Sequence, residues 1–588
     1  MEIDKVSFYP LILDLLTDIS HSHFVAFDLE LSGVPTKYHT SYAKGKPSLQ
    51  DRYSETKEAA ERYQILQIGL TCVEQDVELQ KYILKPYNIE LSPTIEERGI
   101  DVERIFSFQS GAVDFLLKVG FDFSAPFKWG VPYLSREESK QAREKFQQRQ
   151  DRTAISDINI KPTEVEALAF MEHVRSEVNA WLKGHYRESS EYLDITKASQ
   201  HPSDSDGEEQ VVEGLSRFEK RLVHQLVRSE YPDLVTISKR DFIQIVRFDQ
   251  QREDRIHAER VRDLEAHINK QKGFRWIIEA LHGSKLTGLP LRECARDPAN
   301  GEAVFCDMDD FQSRFNRAQR IIKGNPRMLV GHNCFLDLVY IYKTFIGPLP
   351  NSVEEFQQKI HHIWPNIVDT KYMSTHNCGD INPVSSLEQI ATQLSAERKP
   401  TLEIDAEHMK YSEAEALHEA GYDSFLTAQI ATRLSAKLAR EGNYVDHKAT
   451  REEQHITAGI NGVHIADTDA PQSDSDAVAG ASSTPSEVST FTPSEVGGKW
   501  KRKGDPSLPP QDPHDPFIAA AVNAKLPYHD AAVEQSFEGG MPGRRSEFWS
   551  VYGNKLRVFG TEEGMCVLDG SGGRAEGLEV SGGGVMVV

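Results

Sequence analysis

Residues 24–31 read FVAFDLEL, and this short run constrains the fold more than any other part of the chain. Phe24, Val25, Ala26, Phe27 and Leu29 make it a largely buried strand. Asp28 and Glu30 are two residues apart, so a strand sets both side chains on one face. Two ionised carboxylates there repel each other and lose hydration, a cost of roughly several kcal/mol unless something cationic compensates. No Lys or Arg lies within the strand. A divalent cation is the simplest solution, since magnesium prefers a few carboxylate oxygens and waters. On this pair alone, an edge strand with an acidic outer face is the favoured reading, and the pair by itself is a weak signal.

The 588 residues exceed one compact core and imply two or three domains with linkers. A hydrophobic fraction of 39% leaves a substantial share unable to pack. No apolar run is long enough to cross a bilayer. The opening MEIDKVSFYPLILDLLTDIS carries acids inside its apolar stretch and reads as an amphipathic helix rather than a signal peptide. Cys72, Cys294, Cys306, Cys334, Cys378 and Cys566 form no CxxC pair, which argues for a reducing compartment, cytoplasm or nucleus. The net charge of −23 argues against a broad basic face gripping a long nucleic acid. An enzyme that takes one strand end into a small site is compatible with it.

Further strands are expected at Gln64–Cys72 and Lys81–Leu84, and a helix near Gly111–Val119. Residues 136–275 change character, with charged helices, the polar stretch HPSDSDGEEQ and a compact pattern of helix Phe218–Ser229 and strands Leu234–Ile237 and Phe242–Phe248. This reads as a small domain inserted into a larger one. The α/β pattern resumes with strands Met328–Asn333 and Asn366–Thr370, and with helices at Phe335–Phe345, Ser386–Leu394 and Ser412–Leu438. Beyond about residue 465 the text turns Ser/Thr/Pro/Asp-rich, with two TPSEV copies, and reads as linker. KWKRK at 499–503 is either a nuclear import signal or a solvated charge cluster. The later FWSVYGNKLRVFG suggests a hairpin turning at Gly553–Asn554.

Two more acids stand out. In GHNCFLD, Asp337 falls in the first turns of a helix that follows a strand. The helix dipole favours an acid there, and the same position aims it at the end of the sheet. In HEAGYDSF, His418 and Asp423 are five apart. On the expected helix they are offset by ~140°, with Asp423 toward a metal and His418 at its side. The order matters more than any one residue: D-x-E on the first strand, an Asp after a strand–turn, then His-x4-Asp late in the chain.

That set resembles the DEDDh exonuclease superfamily, and more closely the poly(A)-specific ribonuclease (PARN) family. The strings carrying the resemblance are HFVAFDLELSGV, ERYQILQIGL, DFLLKVGFDFSAPFKWGVPYL, MLVGHNCFLDLVYIYKTFIGPLP, NIVDTKYM and LHEAGYDSFLTA. The resemblance implies a ribonuclease-H-like, mixed-sheet α/β nuclease core in two parts, residues 1–164 and 249–460. It also implies an inserted small α/β domain of nucleic-acid-binding type at 165–248 and a largely disordered tail at 461–588. Asp28, Glu30, Asp337 and Asp423 would be ligands of two magnesium ions, with manganese able to substitute, and His418 the general base. Leu31, Val34, Val113, Phe115 and Lys371 would hold the terminal nucleotides, although Leu31 replaces an expected aromatic.

The inserted domain type is named for an Arg-x3-His signature, met here only as Lys220-x3-His224, with Arg217, Arg221 and Arg228 along the same expected helix. No aromatic RNA-recognition strand is legible in the tail, so cap binding, which the family places there, does not carry over. The implied activity is 3′→5′ hydrolysis of single-stranded RNA ends, poly(A) foremost, releasing nucleoside 5′-monophosphates. A homodimer is implied by the family. A base-tolerant trimmer of small-RNA precursors and a catalytically silent RNA-binding scaffold are the alternatives.

Overall fold

The apolar run around Asp28 lies at the centre of an eight-stranded mixed sheet. The computed structural model describes residues 1–35, 47–150, 157–184, 191–197, 214–376, 378, 381–413, 416–442, 536–558 and 564–569. In chain order, β1 (Glu2–Ile3) and α1 (Phe8–His21) lead into β2 (Ser22–Leu31), β3 (Ile65–Asp76) and β4 (Lys81–Ser92). Then come α2 (Ser110–Lys118), β5 (Val131–Pro132), α3 (Val165–Leu182), β6 (Tyr192–Ile195), α4 (Arg217–Glu230), β7 (Leu234–Ser238) and β8 (Ile243–Arg247). The second half supplies β9 (Met328–Gly331), α5 (Phe335–Ile341), β10 (Ile367–Asp369), α6 (Thr370–Thr375), β11 (Thr401–Ile404) and α7 (Ala420–Glu441). Last are α8 (Phe548–Tyr552), β12 (Lys555–Arg557) and β13 (Met565–Val567).

The main sheet runs β1-β4-β3-β2-β9-β10, with β5 and β11 also paired to β4. β2, β3 and β4 form an antiparallel meander. β9 and β10 add in parallel beside β2. This is the mixed-sheet α/β core expected from the sequence.

Alternation along β2 decides what each face does. Val25, Phe27, Leu29 and Leu31 enter one core, shared with the Phe8, Ile12, Leu15, Leu16 and Ile19 face of α1. Phe24 and Ala26 enter the opposite core, shared with Tyr422, Phe425 and Ile430 of α7. Asp28 and Glu30 continue the register of Phe24 and Ala26, so the acids face α7. The amphipathic N-terminal helix expected from the sequence is α1, and its apolar stripe is fully buried.

β6, β8 and β7 form a separate three-stranded antiparallel sheet. With α3 and α4 it encloses its own core of Phe170, Val174, Trp181, Leu222, Leu226, Ile243 and Ile245. Ile158 and Ile160 pack on this core from upstream of residue 165. The strand β6 escaped sequence reading because it is four residues long and follows a break in the periodicity.

The stretch holding TPSEV and KWKRK, and the polar HPSDSDGEEQ, lie outside the described residues. The expectation of an unpacked tail from 461 onward fails over 536–558 and 564–569. There Met541, Phe548, Tyr552 and Leu556 are buried against the nuclease core. The hairpin expected to turn at Gly553–Asn554 is also corrected. FWSVY forms α8, Asn554 turns the chain with φ +57°, and the ladder is β12 with β13.

Candidate active site

Asp28 lies opposite Gly69 and Glu30 opposite Gln67 in the β2–β3 register. Gly69 has no side chain where α7 begins. A Cβ there would sit 1.8 Å from the Ala420 carbonyl oxygen. Its absence lets the helix start press directly onto the sheet beside Asp28.

The first amides of α7 find partners across the sheet rather than locally. Ala420 N donates to Gln67 Oε1 at 2.8 Å, and Gly421 N donates to Asn88 Oδ1 at 3.0 Å. Glu419, at the N-cap position, makes no capping bond with its side chain. Orphan amides at a helix start demand acceptors, and here β3 and β4 provide them. One turn further, Ser424 and Thr71 hydroxyls meet at 2.9 Å. Gln67, Gly69 and Thr71 are alternate positions on one face of β3, so a single strand face docks the helix that carries Asp423.

His418 does not lie on that helix, and this corrects the offset expected from a continuous helix. It occupies an exposed turn before Ala420 with φ +63°. Its amide donates to the Asp423 carboxylate. Ligand atoms of Glu30, His418 and Asp423 lie within 4.8 Å of one another. The ring of Phe115, from α2, meets the His418 ring edge-on at a centroid distance of 4.7 Å.

Asp337 sits in the first turn of α5, as expected. The turn before it contains Asn333 with φ +54°. Asn333 N donates to Asp369 Oδ1 at 2.7 Å.

The four acids act on one another. Burial and the charges of Asp423, Asp337 and Glu30 push the Asp28 carboxyl well above its ordinary range. Glu30 is raised by burial and by Asp423 and Asp337. Asp337 is pushed up to about 7 by burial, with Asp369 adding to it. Asp423 reaches about 7 by burial, with Glu419 and Glu388 adding. The charged neighbours named for Asp28 are thus acids, and these carboxyls resist ionising together unless a cation joins them. Such a donor set of hard oxygens with one imidazole fits magnesium or manganese.

The expected substrate contacts divide. Val34 and Phe115 are 43% and 45% exposed, and Phe115 is the one that meets His418. Val34 N is fixed by Gln109 Oε1 at 2.9 Å. Val113 is half-buried and lies two residues before Phe115 on α2, ~200° around the helix from it. Leu31 is a correction: alternation turns it away from Asp28 and Glu30, and it is buried in the α1 core. Lys371 is buried too, and its amine donates to the Ser385 carbonyl at 2.7 Å, so it is no solvated lysine.

The cations along α4 are largely tied within their own domain. Lys220 donates to the Lys239 and Arg240 carbonyls, Arg228 pairs with Asp157, and His224 Nδ1 meets Thr236 Oγ1 at 2.6 Å. They rim a groove of about 830 Å³ floored by Val227, Leu234 and Val235.

Residues 3–431 match the CAF1 family ribonuclease. The chain belongs to that family. Among individual proteins it is similar to the poly(A)-specific ribonuclease PARN of Danio rerio, 25% identical over 78% of this chain and 62% of that protein. It is equally similar to the pre-piRNA 3′-exonuclease trimmer of Bombyx mori, 25% identical over 76% of this chain and 73% of that protein. The match thus spans somewhat less than two thirds of the Danio rerio and Arabidopsis thaliana PARN proteins, 62% in each case. Among solved structures, Schizosaccharomyces pombe Pop2p in its Mg2+- and Mn2+-bound form aligns at 12% identity and a TM-score of 0.32, over 76% of this chain and 95% of that one. The expected resemblance to PARN therefore holds at the level of family.

Functional residues that sequence reading missed are Gln67, Gly69, Asn88 and Asp369. Their signal was faint. Each is a small or polar residue inside an apolar strand, a place where local sequence offers no reason for it.

Proposed function

We propose that this CAF1-family chain is a divalent-cation-dependent 3′→5′ exoribonuclease acting on single-stranded RNA ends and releasing nucleoside 5′-monophosphates. The observation that carries the reading is the grouping of Glu30, His418 and Asp423, whose ligand atoms lie within 4.8 Å of one another, together with the charges of Asp423 and Asp337 acting on Asp28 and Glu30. These four carboxylates would hold two magnesium ions, or manganese in their place. The metal would supply the charge that neutralises the scissile phosphoryl group and activates water.

The chain's own residues do the rest. His418, in an exposed turn beside Glu30 and Asp423, accepts the proton of the attacking water. Phe115 holds the imidazole from its edge and offers its exposed face to the terminal base. Val34 and Val113 line the approach, and Lys371, after β10, fixes the loop that carries Ser385. Discrimination of RNA from DNA requires a contact to the 2′-hydroxyl.

Poly(A) is the first substrate to test, given the similarity to PARN. A base-tolerant trimmer of small-RNA precursors gains support from the similarity to the silkmoth trimmer. The burial of Leu31, which removes one candidate stacking position for adenine, points the same way. Oligo(A) and mixed-sequence RNA of equal length separate the two readings by relative rate. The family resemblance also favours a homodimer. Among the described residues no helix is long and apolar enough to cross a membrane, and cytoplasm or nucleus is the proposed location.

The deciding experiment is the product ladder on labelled oligo(A) with and without magnesium. Asp28→Ala should lower hydrolysis on the order of 10⁴-fold or more with circular dichroism unchanged. Equal rates for variant and wild type in magnesium would refute the assignment of Asp28 to the site, and no magnesium-dependent products from wild type would leave the RNA-binding scaffold.

A further inference from the structure

The edge of the main sheet at β10 is closed by residues from the far end of the chain. Asn554 N donates to the Ile367 carbonyl at 2.7 Å, and Ile367 N donates to Asn554 Oδ1 at 3.1 Å. Gly553 bridges to Val368. Phe548, Tyr552 and Leu556 are each 0% exposed, so this contact is a packed seam rather than a surface touch.

The seam ends on Asp369, a buried carboxylate that accepts amides from three separate places. Arg557 N donates to Oδ2 at 2.8 Å; Asn333 N and Lys371 N donate to Oδ1 at 2.7 and 2.9 Å. The Arg557 side chain adds a bond from Nε to Thr375 Oγ1 at 2.6 Å and lies over the Tyr372 ring at 5.1 Å. Asn333 is the non-glycine residue at φ +54° in the turn that launches α5. Such a backbone conformation persists only where its surroundings hold it. Asp369 is the holder, and α5 carries Asp337 in its first turn.

We infer that residues 536–558 and 564–568 act as a positioning segment of the active site, setting the aim of Asp337 through Arg557 N, Asp369 and the Asn333 turn. The inference rests on the metal-dependent reading of the acid cluster. It assigns a task to a part of the chain that reads, by sequence, as a hairpin without a role. Arg557 and Asp369 are positioning residues and touch neither metal nor RNA.

The test is metal binding by the full chain, read as loss of the free Mn2+ electron paramagnetic resonance signal, with thermal unfolding recorded alongside. Arg557→Ala keeps the amide that reaches Asp369; Arg557→Pro removes it. Asp369→Asn weakens the junction from the other side, and Phe548→Ala loosens the seam at its anchor. Arg557→Pro and Asp369→Asn should weaken Mn2+ binding by roughly 10- to 100-fold, the usual effect of losing a group that orients a ligand. Arg557→Ala should stay close to wild type. A Phe548→Ala chain that remains folded should weaken binding as well, and excess Mn2+ should recover its hydrolytic rate. Folded Asp369→Asn and Arg557→Pro proteins with wild-type Mn2+ affinity would overturn the inference. Wild-type protein that binds no Mn2+ would instead refute the metal site itself, a distinct result.

Discussion

Asp337 is a carboxylate that burial makes reluctant to ionise. Its folded pKa of about 7 stands above the ordinary 3.8. A group raised in this way contributes stability that is whole below the ordinary pKa and is lost as pH rises through the folded value. Without metal, the wild-type chain should therefore weaken between about pH 4 and 8 relative to Asp337→Asn, which cannot ionise. In EDTA the variant should unfold at a temperature about 2–4 °C above wild type at pH 8, the shift roughly 1 kcal/mol gives in domains of 150–250 residues. Near pH 4 the gap should close. Magnesium should reverse the order at pH 8 by stabilising the wild type alone. A gap that is constant across pH, measured by calorimetry, would show that Asp337 gains nothing from being protonated.

The residue scale also shows what local sequence can and cannot carry. Asp28 and Glu30 were legible because strand alternation is local: two positions apart always means one face. His418 was legible as a participant, but its placement was not. The run SEAEALHEAG has a serine at Ser412 that resembles a helix start, yet Ser412 closes a short 3-10 helix at Met409–Tyr411. The true start at Ala420 is set by Gln67 and Asn88, hundreds of residues upstream. No window of sequence around residue 415 contains that information.

At the scale of elements, the site is a docking problem: one helix must land on one strand face. The contact leaves no slack at Gly69, where an added Cβ would approach the Ala420 carbonyl oxygen to 1.8 Å and Gly421 N to 2.5 Å. Both are backbone atoms at a helix start, and neither can rotate away. Gly69→Ala should cost about 1–3 kcal/mol, the range for overpacking a core. Its effect on hydrolysis should be larger than the lost stability explains, because the helix start carries Asp423 out of register with Asp28. Gly111→Ala is the matched control, since a Cβ there meets nothing within 4 Å. Melting curves and initial rates at a temperature where both variants are folded decide the matter. A Gly69→Ala enzyme with wild-type rate would mean that the close approach serves packing alone. The long elements β2, β3 and α7 were readable from periodicity. The short ones, β6, β11, β12 and α8, are three to five residues long and define no period of their own.

For the whole molecule the decisive quantity is charge. The net −23 sets a chain that repels RNA at long range around a site that must attract its 3′ end. The basic side chains of α4 offer little relief, since Lys220 and Arg228 are engaged by their own domain. On the proposed reading, attraction comes from the acids with their metal bound and from apolar contacts such as Phe115, over one or two terminal nucleotides. Counter-ion release scales with the number of phosphates neutralised, at about −0.7 per phosphate for a single strand. Binding of labelled oligo(A) to Asp28→Ala, followed by anisotropy from roughly 50 to 200 mM salt, should give a slope of about −2 or shallower, equal to about two or three phosphates. The slope should also barely change when the RNA is lengthened, because on the proposed reading recognition resides at the terminal nucleotides. A slope that steepens with each added nucleotide would mean that a basic track leads into the site, and recognition would then extend along the strand instead of residing at its end.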